Sequence, residues 1–204
     1  MATAWTDAVR SGGKLGVYAG PSLRGQWATV FKEAFDAFNT LSKHHGLGVT
    51  LVKATTAPTD TGGADVAVAL GSGAVSASWG GETDDGNFDG TRMHGLTIQF
   101  ARGGSIGKAF IFLPERPQVN TPSGIRPVGT NVMKLIAVHE LVHACGLDNS
   151  DHSTDDLFQA NPQVDPGDRP SQDRIRIGTG SPMRWMPPLV LGGSTVSALK
   201  RLWS

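Results

Sequence analysis

Apolar positions along the first half of the chain follow two different periods, and the switches between them outline the elements. KLGVYAG (14–20) reads as a short strand. The next stretch, 26–45, sets Trp27, Val30, Phe31, Ala34, Phe35 and Phe38 three and four residues apart, the stripe of an amphipathic helix. GVTLVKAT (48–55) and ADVAVALG (64–71) are β-branched runs bounded by glycine, proline and aspartate, as strands are. SWGGETDDGNFDGTR (78–92) is rich in glycine and acid and reads as a loop, followed by a strand pair at 95–104 and 108–114. A proline-punctuated loop (114–129) leads to a second helix, 130–146, with Thr130 or Asn131 as its N-cap and Gly146 as its stop. That helix is apolar nearly all round, so it is expected to be buried. From 147 to 182 aspartate, proline and glycine replace any period, and only 194–203 again has helical spacing.

The 204 residues suit one domain, a regular lobe over 1–146 and an irregular one over 147–204. Eighteen basic side chains balance eighteen acidic ones, and no basic block marks a nucleic-acid or anionic-membrane footprint. Cys145 is the only cysteine, which excludes an intramolecular disulfide and leaves packing, or a metal, to hold the fold. There is neither a secretory signal at the start nor a run of about eighteen apolar residues, so a soluble, monomeric protein without membrane contact is expected. No compartment can be read. A protein made without a leader would reach a site outside the producing cell by another route, or act within a larger particle.

Three of the six histidines fall within AVHELVHACGLDNSDHS, residues 137–153. On a helix, His139 and His143 are one turn apart and project from one face, so both imidazoles can bind one ion. Glu140 neighbours the first ligand without being one. In such an HExxH arrangement a zinc ion acidifies a water and the glutamate takes its proton. Two histidines and a glutamate in an otherwise apolar helix are costly to bury without a shared purpose. A catalytic zinc needs a third protein ligand. No glutamate follows Glu140, which excludes the thermolysin-like solution. Gly146, three residues after His143, can end the helix in a left-handed turn and return the chain toward the metal.

HELVHACG with a histidine shortly after resembles the metzincin clan of zinc endopeptidases, and the matrixin-like branch within it. The resemblance implies an α+β fold: a twisted mixed sheet with two long helices in an N-terminal lobe, then an irregular C-terminal lobe ending in a helix. It implies one catalytic zinc and an extended peptide as substrate. The clan's third-ligand position falls on Asn149, a poor zinc ligand, so His152, three residues later, is the expected third ligand. Asp148 and Asp151 are the fallbacks, with Asp155 and Asp156 after them. For the clan's methionine turn, Met186 in Met186-Pro187-Pro188 competes with Met183 in Ser181-Pro182-Met183-Arg184-Trp185. The substrate strand would be 95–101, with Thr97, Ile98 and Gln99 in the groove, and the pocket wall would come from Trp185 to Val190.

Two other readings stand beside this one: a noncatalytic binding or structural module pinned by zinc, and an aspzincin-like peptidase with an aspartate ligand. Cys145 lies inside the motif helix, so a cysteine-based latency switch is not expected. His44 and His45 suit a helix C-terminus without any metal, and His94 has no partner readable from sequence. Residues 84–90 (DDGNFDG) lack the spacing and terminal glutamate of an EF-hand, so calcium is not expected and a solvated turn is.

Overall fold

The apolar stripe of the first long helix buries one face of a sheet. A computed structural model describes residues 2–152, 163–166, 173–176 and 182–204. In it α2 (Gln26–His45) buries Trp27, Val30, Phe31, Ala34, Phe35, Phe38 and Ser42 and ends at Gly46. Lys43, His44 and His45 occupy its last turn, where the helix dipole favours cations. Before it come α1 (Asp7–Gly12) and β1 (Lys14–Ala19), and after it β2 (Thr50–Lys53) and β3 (Val66–Gly71). The helix α1 was not expected: its six residues bury nothing, so it carries no periodic signal.

β6 (Leu96–Arg102) and β7 (Ser105–Pro114) complete a five-stranded sheet of order β2-β1-β3-β7-β6. Its first four strands are parallel, and β6 runs antiparallel to β7 at one edge. The protein is thus α+β with a mixed sheet. α3 (Thr130–Ala144) packs with α2 and against β6 and β7. Ten of its fifteen residues are buried, as its all-round apolar surface requires.

Two expected loops are hairpins. Residues 73–88 form β4 (Gly73–Trp79) and β5 (Glu82–Phe88), joined by the two-residue turn Gly80–Gly81. β5 is exposed everywhere except Phe88, so it lacks the apolar alternation that reveals a strand. Asp84 and Asp85 pair across the ladder with Ala77 and Ser76, which replaces the solvated turn expected at 84–90. In the proline-rich stretch, β8 (Gln118–Thr121) and β9 (Gly124–Pro127) pair around Pro122 and Ser123.

The β4–β5 hairpin covers part of the sheet and makes a second core of Val75, Ala77, Phe88, Ile98, Phe100 and Phe112. The main core gathers α2, α3 and the last helix, α4 (Gly193–Trp203), around the parallel strands. Past α3, the described residues hold a 3-10 turn at Asn149–Asp151 and a small antiparallel sheet of β10 (Gln163–Asp165), β11 (Arg174–Arg176) and β12 (Arg184–Trp185).

Candidate metal centre

α3 starts at Thr130, and Gly129, in extended backbone, takes the N-cap position expected of Thr130 or Asn131. The donors at this end are met from far along the chain. Asp173, 1% exposed, accepts from the Gly129 N–H at 3.1 Å and the Val132 N–H at 3.4 Å. A carboxylate at a helix N-terminus also meets the positive end of the helix dipole. The same residue's carbonyl accepts from the N–H of Met186, which packs against the main core.

The C-terminal end is bound as fully. Gln99 donates to the carbonyl of His143 at 2.6 Å, the Trp5 indole to that of Ala144 at 2.8 Å and the Trp203 indole to that of Cys145 at 2.9 Å. The Thr3 N–H reaches the Gly146 carbonyl at 2.8 Å. Gly146 has φ +108, and a Cβ there would lie 2.2 Å from the Thr3 carbonyl oxygen, so the turn needs glycine for conformation and for space. The helix that carries His139, Glu140 and His143 is therefore held at both ends.

Beyond that turn, Leu147 is buried in the core and its carbonyl accepts from Nδ1 of His143 at 2.8 Å. That bond sets the tautomer: with the proton on Nδ1, Nε2 of His143 presents a lone pair. The Nε2 atoms of His139 and His143 are 2.8 Å apart. The three residues by which His152 is displaced from the clan's spacing form the 3-10 turn, with Asn149 exposed on it. Asp148 accepts from the Ser150 N–H at 2.8 Å, and Asp151 accepts from the Asp148 N–H at 3.0 Å, a reciprocal cap. Both fallback carboxylates thus serve the turn, while Asp155 and Asp156 lie outside the described residues.

His152 follows the turn and is 2% exposed. Its ring centroid is 4.8 Å from that of His139 and 4.9 Å from that of His143, and the two helix imidazoles are 4.6 Å apart. One nitrogen from each of the three falls within 4.8 Å of the others. Burial, then the neighbouring His143, His152 and His94, push the pKa of His139 down to about 2. It is therefore neutral at ordinary pH, the form that ligates metal. Converging nitrogen donors fit a borderline-soft ion such as zinc.

Glu140, 2% exposed, points its carboxylate to the start of β6. The Gly95 N–H donates to Oε1 at 3.1 Å and the Thr97 hydroxyl to Oε2 at 2.7 Å. Burial raises its pKa against the opposing effects of His143 and of these two hydrogen bonds.

The three residues expected in the groove divide between two faces of β6. Thr97 and Gln99 turn to α3, whereas Ile98 is buried in the second core beneath the hairpin. Trp185 is 65% exposed on β12. Met183 is half-buried, and Ser181 lies outside the described residues. Asp173 and Trp5 were not expected at the site, Gly95 was expected only as the first residue of the substrate strand and Trp203 only within the last helix, because each acts on a residue more than forty positions away. His94 gains a neighbour from the fold: its charge bears on His139, and its own pKa is lowered by desolvation and by Arg92.

No protein-family model matches the chain, and no curated protein matches it. Among the described residues no helix is long and apolar enough to cross a membrane.

Proposed function

We propose that the chain is a zinc-dependent endopeptidase of the metzincin kind, in which His139, His143 and His152 hold the ion and Glu140 is the general base. The observation that carries this reading is the meeting of three imidazoles beside a buried carboxylate that is not one of them. Zinc bound there would acidify a water and polarise a peptide carbonyl. Glu140 would accept the proton of the attacking water and return it to the leaving amine nitrogen. Each carboxylate oxygen has more than one lone pair, so the bonds from Gly95 and Thr97 do not exhaust its accepting capacity. His143, with its proton on Nδ1 toward Leu147, would offer Nε2 to the metal.

The edge position of β6 supports an extended peptide as substrate, since an edge strand can add one more strand to its sheet. Exposed Trp185 is our candidate for the pocket wall and Met186, packed on the core, for the methionine turn. A structural zinc site has no use for an unligated glutamate beside it, which favours an enzyme over a binding module.

Metal analysis and one variant test the proposal. Purified protein should carry close to one zinc per chain. Glu140→Ala should keep that zinc while cleavage of an unfolded protein substrate falls by about 100-fold or more. Protein that takes up no transition metal defeats the site, and zinc-loaded wild type that cleaves nothing in a broad peptide library favours the binding module.

A further inference from the structure

The edge strand touches α3 through alternate residues, and each polar contact lands on a residue of the motif. Gly95 donates its N–H to Oε1 of Glu140 at 3.1 Å, and Thr97 donates its hydroxyl to Oε2 at 2.7 Å. Gln99 donates to the carbonyl of His143 at 2.6 Å. The spacing follows from the pleat: residues two apart in a strand share a face, so 95, 97 and 99 look toward the helix while Ile98 and Phe100 look toward the hairpin. A side chain at position 95 would occupy the place of the carboxylate, because its Cβ would lie 2.6 Å from Cγ and 2.8 Å from Cδ of Glu140. Both oxygens of Glu140 are thus fixed by one strand.

We infer that Thr97 is a positioning residue for Glu140: its hydroxyl, working with the Gly95 N–H, sets the rotamer of the carboxylate from the edge strand. This rests on the peptidase reading above. A carboxylate held by a single donor can rotate about its last bonds, whereas two donors from one rigid strand fix its plane as well as its position. The strand that offers its edge to a peptide therefore also aims the base, so substrate and base share one frame of reference. A role in satisfying a buried acid alone would affect stability but leave turnover per folded, zinc-loaded molecule unchanged.

Thr97→Val keeps the shape and removes the hydroxyl; Thr97→Ser keeps the hydroxyl and removes a methyl. In zinc-loaded protein, Thr97→Val is expected to lower kcat by about 10- to 100-fold with KM and zinc affinity close to wild type, and Thr97→Ser to recover most of the loss. Gly95→Ala, which displaces the carboxylate sterically, should lower kcat with zinc retained, and it replaces Thr97→Val should that variant not fold. The second readout needs no turnover. By amide hydrogen exchange in the metal-free protein, the Gly95 N–H should exchange at least about tenfold faster in Thr97→Val than in wild type or Thr97→Ser, while the amides shared with β7 keep their rates. Unchanged kcat in Thr97→Val, equal losses in the valine and serine variants, or unaltered Gly95 exchange overturns the inference. Wild type that binds zinc and cleaves nothing would defeat the peptidase reading, and Gly95 exchange alone would then decide whether Thr97 holds the carboxylate.

Discussion

The indole of Trp203 donates its N–H to the carbonyl of Cys145 at 2.9 Å, tying α4 to the last turn of the helix that carries His139 and His143. Trp5, near the other end of the chain, does the same for Ala144 at 2.8 Å. Terminal carbonyls of a helix have no partner within it, and buried ones must find one elsewhere. Here segments from both ends of the chain supply the donors, next to the turn that leads to His152.

Trp203→Phe is expected to destabilise the protein by at least about 1–3 kcal/mol, the cost of leaving the Cys145 carbonyl buried without its donor. Urea unfolding, read as a shift in midpoint at constant slope, measures it. An unchanged midpoint would mean that water replaces the indole and that this end of α3 is less dry than its burial indicates.

The displaced third histidine predicts an order among zinc affinities. His152→Ala should lose a large factor, and Asn149→Ala should lose almost nothing, since Asn149 is exposed on the 3-10 turn. Asp148→Ala removes one half of the turn's reciprocal cap, so it should lower stability by about 1 kcal/mol and zinc affinity far less than His152→Ala does. Competition titration at fixed pH ranks the three. A collapse in Asp148→Ala with normal binding in His152→Ala would move the ligand set to an aspartate.

Acid should destabilise the metal-free protein through His139. Its folded-state pKa of about 2 lies below the ordinary 6.5, so between these values the unfolded chain binds a proton that the folded chain refuses. Stability is then full above pH 6.5 and falls as pH drops through that window. Glu140 has the opposite sign: its raised pKa contributes stability below the ordinary 4.5 that is lost as pH rises through the folded-state value. Glu140→Gln should therefore raise the thermal midpoint of metal-free protein near pH 7, an advantage that shrinks toward pH 4.5. In Glu140→Gln, where the opposing acid is removed, a midpoint that stays flat between pH 7 and pH 5 contradicts the assignment for His139.

Periodicity determined α2, because a buried face imprints its own spacing on the residues that form it. Runs of β-branched residues between turn residues marked strands of the sheet, and helical length between end signals marked α3, which is apolar nearly all round. Helical spacing also put His139 and His143 on one face with Glu140 beside them, since those relationships lie within one turn of helix. The hairpin β4–β5 escaped that reading because β5 pairs by backbone and exposes nearly every side chain. Tertiary structure alone decided what surrounds the motif: Asp173 on the first N–H groups of α3, Trp5 and Trp203 on its last carbonyls, and Thr97 on Glu140. Each of these is one or two hydrogen bonds between residues distant in the chain, and a lone polar side chain carries no pattern that names its partner. Even His152, expected from ligand chemistry, comes beside the other two imidazoles only because three extra residues fold into one capped turn after Gly146.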